Sequence, residues 1–257
     1  MMKKTNNSLL ALACGDSYGS HFEMEGLMGC QFSLRSLPDI PNFPNITDDT
    51  KMATILLKHY KKYKSLKKDI LLNEYRYWAK TQGYSDGIGI HTRAVLLDGK
   101  TDKDSQGNGA LMRVIPFGIA LVEDGYSFED AVALMYEESR LTHENDIIYI
   151  TNKLALDLAL NGLDALEKKE YSALLQMLHY GDDAWVIYTL YIVIEALKKK
   201  RKFLTAFKYI VSQGGDTDTN CAIFGAIRGA HADITQELKI SLFVSKEYLL
   251  ETTDLCF

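Results

Sequence analysis

Two acidic clusters, far apart in the chain, carry the residue types that could do chemistry: Thr47-Asp48-Asp49-Thr50 and Gly214-Gly215-Asp216-Thr217-Asp218-Thr219-Asn220. Each gathers carboxylates and hydroxyls at the mouth of a predicted helix. Oxygen donors without Cys or His suit a hard cation such as Mg²⁺, Mn²⁺ or Ca²⁺ rather than zinc. Neighbouring carboxylates at a buried site ionise together only when a cation neutralises them. Either cluster alone also reads as an ordinary helix start, with an N-cap and acidic first-turn residues. The second is harder to read that way, because Gly214-Gly215 lets the backbone approach a ligand closely. An EF-hand is excluded, since the loop glycine and the terminal bidentate Glu are missing. Together, the clusters could hold two cations roughly 3.5–4 Å apart and so orient a nucleophilic water and substrate oxygens.

The elements that must position these clusters are predicted to be helices. Apolar residues recur at three- and four-residue steps over 49–63, 69–80, 111–122, 128–140, 146–160, 171–179, 183–198, 203–211 and 219–231. Ser127-Phe128-Glu129-Asp130 has the form of a capping box, and Asn161-Gly162 reads as a helix C-terminus. Strict alternation is scarce and no hairpin turn sits between convincing strands. The expected fold is therefore all-α, one compact multi-helix domain over 1–257.

Composition narrows the function classes. The 257 residues are 47% hydrophobic and 25% charged, which is globular composition and excludes disorder and collagen-like repeats. A net charge of -5 argues against nucleic acid as the main partner. Cys14, Cys30, Cys221 and Cys256 show no Cys-x-x-Cys spacing, as expected of free thiols in a reducing cytoplasm. Lys3 and Lys4 before Leu9-Leu10-Ala11-Leu12-Ala13-Cys14 imitate a lipoprotein leader, but six apolar residues are too few for a signal core, so a first buried helix is expected. No run reaches the roughly 20 apolar residues of a membrane span, and the expected location is cytoplasmic. The lysines between Lys58 and Lys68, and the run Lys198–Lys202, read as solvated helix ends; an anion-steering patch is the other reading. Oligomeric state is not legible, and a monomer is the working expectation.

The motifs, taken in order, resemble those of the ADP-ribosylglycohydrolase family. They are Gly15-Asp16-Ser17-Tyr18-Gly19 with Glu23, Thr47-Asp48-Asp49-Thr50-Lys51-Met52-Ala53, Thr92-Arg93-Ala94, Gly107-Asn108-Gly109-Ala110-Leu111-Met112-Arg113, Leu141-Thr142-His143, and the cluster 214–220. The resemblance implies an all-α domain with a central cleft holding two Mg²⁺ or Mn²⁺ ions. It implies Thr47, Asp48 and Asp49 on one side of the ions, and Asp216, Asp218 and Thr219 on the other, with Asp218 as bridge. It further implies that Glu23 lies in a segment closing over the site, and that Asn108, Gly109, Ala110, Met112, His143 and Gly215 line an ADP-ribose cleft. The implied reaction cleaves the bond between the anomeric ribose carbon of ADP-ribose and a protein side chain or related conjugate. Such cleavage builds positive charge on the ribose and needs a carboxylate to activate water or protonate the leaving group.

One segment departs from the family pattern. Many relatives carry Asp-Ile-Gly before the Thr-Arg-Ala segment, and that Asp is assigned as a general base in some of them. Here Gly87-Ile88-Gly89 falls at that place, with Asp86 one residue early. Either a shifted loop lets Asp86 serve, or Glu23 or a metal-bound carboxylate such as Asp49 takes the role. A binding reading stays open beside the enzymatic one: an ADP-ribose-binding or immunity protein that protects a target by contact.

Overall fold

Helices supply the regular structure of the described residues, which are 4–30, 32–177 and 184–253 of the computed structural model. In chain order they are α1 (Lys4–Gly19), α2 (Glu23–Leu27), α3 (Asp48–Tyr63), α4 (Lys68–Thr81), α5 (Ile90–Asp98), α6 (Leu111–Glu123), α7 (Phe128–Ser139), α8 (Ile147–Asn161), α9 (Ser172–Met177), α10 (Val186–Lys198), α11 (Phe203–Val211), α12 (Thr217–Gly229) and α13 (Lys246–Thr253). Among the described residues there is no strand; a lone bridge joins Gly107 to Trp185. The all-α expectation holds.

The centre is a pair of helices that touch backbone to backbone. Glycines on α1 and α12 make this possible. A Cβ on Gly15 would lie 2.2 Å from the Cys221 carbonyl oxygen, one on Gly19 would lie 2.3 Å from that of Thr217, and one on Gly225 would lie 2.2 Å from that of Ala11. No side chain fits at such distances, so the residue type is fixed by the approach itself. Asn7 adds a polar staple, its buried amide donating to the Gly229 and Ala232 carbonyls. This packing sets Asp16 of α1 beside the N-terminus of α12. Gly225→Ala is expected to cost about 1–3 kcal/mol through overpacking; a urea midpoint equal to that of the unsubstituted protein would contradict the close approach.

Around this pair, α6 packs against α1, α3, α7, α8 and α12. Leu111 to Leu121 are all buried, so the helix needs no polar face. The ends behave as their residues demand. Ser127 accepts a hydrogen bond from the Asp130 N–H at 3.1 Å, and Gly162, in the left-handed region at φ 68°, ends α8. The Lys198–Lys202 run does close α10; Lys199 and Arg201 then lie over the Tyr209 ring at 4.7 and 5.2 Å.

Several boundaries differ from expectation. α12 starts at Thr217, not Thr219, which brings Asp218 into its first turn, and it ends at Gly229 rather than His231. α9 starts at Ser172 after a 3₁₀ turn; the expected ends at His179 and Asp183 lie outside the described residues, as does Cys256. α5 was not anticipated: its buried face is only Thr92, Val95 and Leu96, while Ile90 is 92% exposed. Cys14 and Cys221 are free and buried, and Cys30 is free and exposed. No helix among the described residues is long and apolar enough to cross a membrane.

Candidate metal centre and active site

The two acidic clusters meet. α3 begins at Asp48 and α12 at Thr217, and both N-termini lie beside the C-terminal end of α1: the Thr50 N–H donates to Asp16 and Thr217 Oγ1 to the Gly19 carbonyl. Carboxylate oxygens of Asp16, Asp49 and Asp218 lie within 4.8 Å of one another, and so do those of Glu23, Asp216 and Asp218. Asp218 belongs to both groups. Thr47 Oγ1 donates to Asp49 Oδ2 at 3.2 Å, and Thr219 Oγ1 reaches the same oxygen at 3.4 Å. The other oxygen, Asp49 Oδ1, is buried without a hydrogen-bond partner.

Electrostatics make such a cluster unstable as bare anions. Burial raises the carboxyl pKa of Asp49 well above its ordinary value, and the charges of Asp16, Asp48 and Asp216 add to it. Asp218 is raised by burial, then by Asp216 and Asp49. Glu23, half-buried at the outer edge, is raised by burial and by Asp216. An unpartnered buried oxygen among mutually repelling carboxylates and hydroxyls is what a divalent cation satisfies, so the donor set fits a hard metal ion.

Asp48 sits at the margin. Burial pushes its pKa up while the Gly89 N–H, 3.2 Å from Oδ2, opposes the shift. Its own N–H donates to the Asp86 carbonyl at 2.7 Å. The Asp86 carboxylate turns elsewhere: Oδ2 accepts from Trp78 Nε1 at 2.8 Å and Oδ1 is 3.5 Å from Ser85 Oγ. The shifted loop therefore holds Asp48 by its backbone and does not bring the Asp86 side chain into the acidic group.

Asp16 was absent from the expected site, although its motif was visible. It is fully buried and accepts from Thr47 N at 2.9 Å, Thr47 Oγ1 at 2.8 Å, Thr50 N at 3.2 Å and Thr50 Oγ1 at 2.5 Å. Burial lifts its carboxyl pKa to about 6 against the pull of these bonds. Thr47 itself makes no side-chain cap on α3; a carboxylate from α1 does the capping instead. The signal in the sequence was a lone acid within an otherwise apolar and small-residue helix.

Of the remaining expected residues, Asn108 touches the acidic group directly. Asn108 Nδ2 donates to Asp216 Oδ2 at 2.8 Å and to Thr189 Oγ1 at 3.0 Å. Gly109 lies against His143, where a Cβ would be 3.1 Å from the ring. Ala110 and Met112 are buried at the start of α6, which begins at Leu111 as the periodicity predicts. Gly215 takes φ 69°, following Gly214 at 76°. Beneath them, Arg113 donates from Nε to Glu138 at 2.8 Å, from Nη1 to the Gly109 carbonyl, and from Nη2 to Thr142 Oγ1 at 2.7 Å. Thr142 Oγ1 lies 2.8 Å from His143 Nδ1, and the His91 ring sits 4.6 Å from that of His143 with the planes tilted by 58°. Burial, with Arg113 and His91 nearby, drives the His143 pKa well below its usual value, so the imidazole is neutral.

An all-helical protein with a buried, oxygen-rich acidic centre at converging helix ends is the class that fold and site define. The family model described as ADP-ribosylglycohydrolase matches residues 2–239, and the chain belongs to that family, hydrolases of ADP-ribose glycosidic bonds. A protein of Acanthamoeba polyphaga mimivirus that carries the name ADP-ribosyl glycohydrolase is 24% identical over 293 aligned positions, covering 88% of this chain and 86% of its own. A solved structure of an ADP-ribosylglycohydrolase-related protein complex shares the fold at a TM-score of 0.76 and 22% identity, covering 99% of this chain and 96% of the other.

Proposed function

We propose that this hydrolase removes ADP-ribose from modified protein side chains, opening the N- or O-glycosidic bond at the anomeric ribose carbon, and that it needs divalent cations to do so. The observation that carries the reading is the pair of overlapping carboxylate groups sharing Asp218. Thr47, Asp48, Asp49, Asp216, Asp218 and Thr219 would hold Mg²⁺ or Mn²⁺, and the bound ions would supply polarisation and alignment of ribose hydroxyls and water. Glu23 stands at the solvent side of the same group, where its carboxylate can take a proton from water or give one to the leaving group. The Asp86 carboxylate is engaged by Trp78, so the acid–base role falls to Glu23 or to a metal-bound carboxylate such as Asp49, and Glu23 is favoured by its place at the solvent side. Asn108 fixes Asp216, and Gly109, Ala110, Met112, His143 and Gly215 form the wall against which ADP-ribose would lie. A cytoplasmic monomer is consistent with this role.

The test is release of ADP-ribose from arginine- and serine-modified protein after EDTA treatment and again after return of Mg²⁺ or Mn²⁺. Release restored by the ions supports the reading, whereas equal release in EDTA contradicts metal dependence. Should target protection persist in Asp48→Ala and Asp216→Ala proteins that no longer turn over, the ADP-ribose-binding reading would replace it.

Cation binding is also expected to show in stability. At a hundredfold excess over Kd, linkage contributes about 2.7 kcal/mol, or roughly 5–10 °C in a chain of this size. The gain should grow from pH 6 to pH 8. The folded metal-free carboxyls have raised pKa values, so protons compete with cations at the lower pH. A thermal midpoint that ignores Mg²⁺ and Mn²⁺ at both pH values would remove the centre.

A further inference from the structure

A groove of about 840 Å³ runs between α3, α4 and α13, and none of its lining residues belongs to the metal centre. Its size falls in the range of small-molecule sites. Its lining includes the aromatic and aliphatic residues Tyr77, Trp78, Tyr248, Ile55 and Ile70, of which Tyr77 is 73% exposed and Trp78 presents only its edge.

Its acids are already engaged. Glu251 pairs with Lys58 at 2.5 Å, and Glu74 accepts from His59 Nδ1 at 2.7 Å. The Lys67 N–H lies 3.1 Å from His59 Nε2, so both ring nitrogens of His59 are engaged. Lys51, in the first turns of α3 next to Trp78 and Gln82, forms no ion pair among the described residues. Lys62 lines the same groove with its ammonium over the Tyr63 ring. The groove thus combines aromatic and aliphatic lining with three lysines against two carboxylates, one of them bound to Lys58. A ligand matching both is a planar apolar anion.

We propose that this groove is a second ligand site, taking an aromatic carboxylate or phosphate whose ring lies against Tyr77 and Trp78 and whose anion meets Lys51. It is tied to the metal centre through Trp78: the indole N–H holds the Asp86 carboxylate at 2.8 Å, and the Asp86 carbonyl holds the Asp48 N–H at 2.7 Å. An occupant pressing on Trp78 would therefore act two hydrogen bonds from Asp48. The binding claim does not depend on the proposed hydrolysis.

Calorimetric titration of the full chain in Mg²⁺ with 2-naphthoate, and with its neutral amide 2-naphthamide, tests it. The acid should bind one per chain and at least tenfold more tightly than the amide. Lys51→Met should erase that preference, and Tyr77→Ala, at an exposed position, should weaken both probes at least fivefold. Saturating ADP-ribose should not displace either. Equal binding of acid and amide by the unsubstituted chain, no binding, displacement by ADP-ribose, or indifference to either substitution would overturn the proposal.

Discussion

Asp218→Asn is expected to lower ADP-ribose release about a thousandfold, equivalent to ~4 kcal/mol of lost transition-state stabilisation. Asp218 alone joins both carboxylate groups, so its loss removes a ligand from each side of the centre. The substitution keeps the shape and the oxygen that accepts from the Thr219 N–H at 2.8 Å. It also removes one of several repelling charges that burial penalises. In EDTA the variant should therefore be no less stable than the unsubstituted protein, while its thermal midpoint should no longer rise with Mn²⁺. That split separates a lost ligand from a damaged fold. Loss of turnover together with an unchanged response to Mn²⁺ would place Asp218 outside the centre.

Arg113→Met should have the largest effect on stability, about 3–5 kcal/mol, or roughly 6–20 °C in thermal midpoint. Both Arg113 and Glu138 have no exposed side-chain surface, and their Nε–Oε1 distance is 2.8 Å. Burial works most strongly against the Arg113 charge, but Glu138 and Tyr75 together outweigh it and hold the pKa above its usual value. Removing the cation leaves Glu138 with one bond from Tyr75 OH at 2.7 Å on Oε1, and Oε2 already has no partner. The double variant Arg113→Met/Glu138→Leu should recover much of the loss, because a stranded charge costs more than an absent pair. No recovery in urea denaturation would mean that Arg113 acts through Gly109 and Thr142 rather than through Glu138.

Much of this was legible because the long helices bury continuous stripes. α3, α6, α10 and α11 repeat apolar residues at helical steps, and the two oxygen-rich clusters mark the starts of α3 and α12. What escaped was long-range. Asp16 is an unremarkable acid until α1 meets the start of α3 and brings it under Thr47 and Thr50, more than 30 positions away. Arg113 and Glu138 reveal a buried pair only once α6 lies on α7. α5 was hidden because the burial pattern that identifies it includes a polar Thr92 and leaves Ile90 in solvent. The Asp86 question turned on side-chain direction, which spacing does not encode: the residue neighbours Asp48 in space, but Trp78 takes its carboxylate.

Anomalous diffraction from crystals grown with Mn²⁺ probes the centre most directly. Two peaks about 4 Å apart, both touching Asp218, one also touching Asp49 and the other Asp216, are the outcome required here. Crystals with Mn²⁺ bound elsewhere, or with Asp49 and Asp218 free of it at saturating concentration, would refute the assignment.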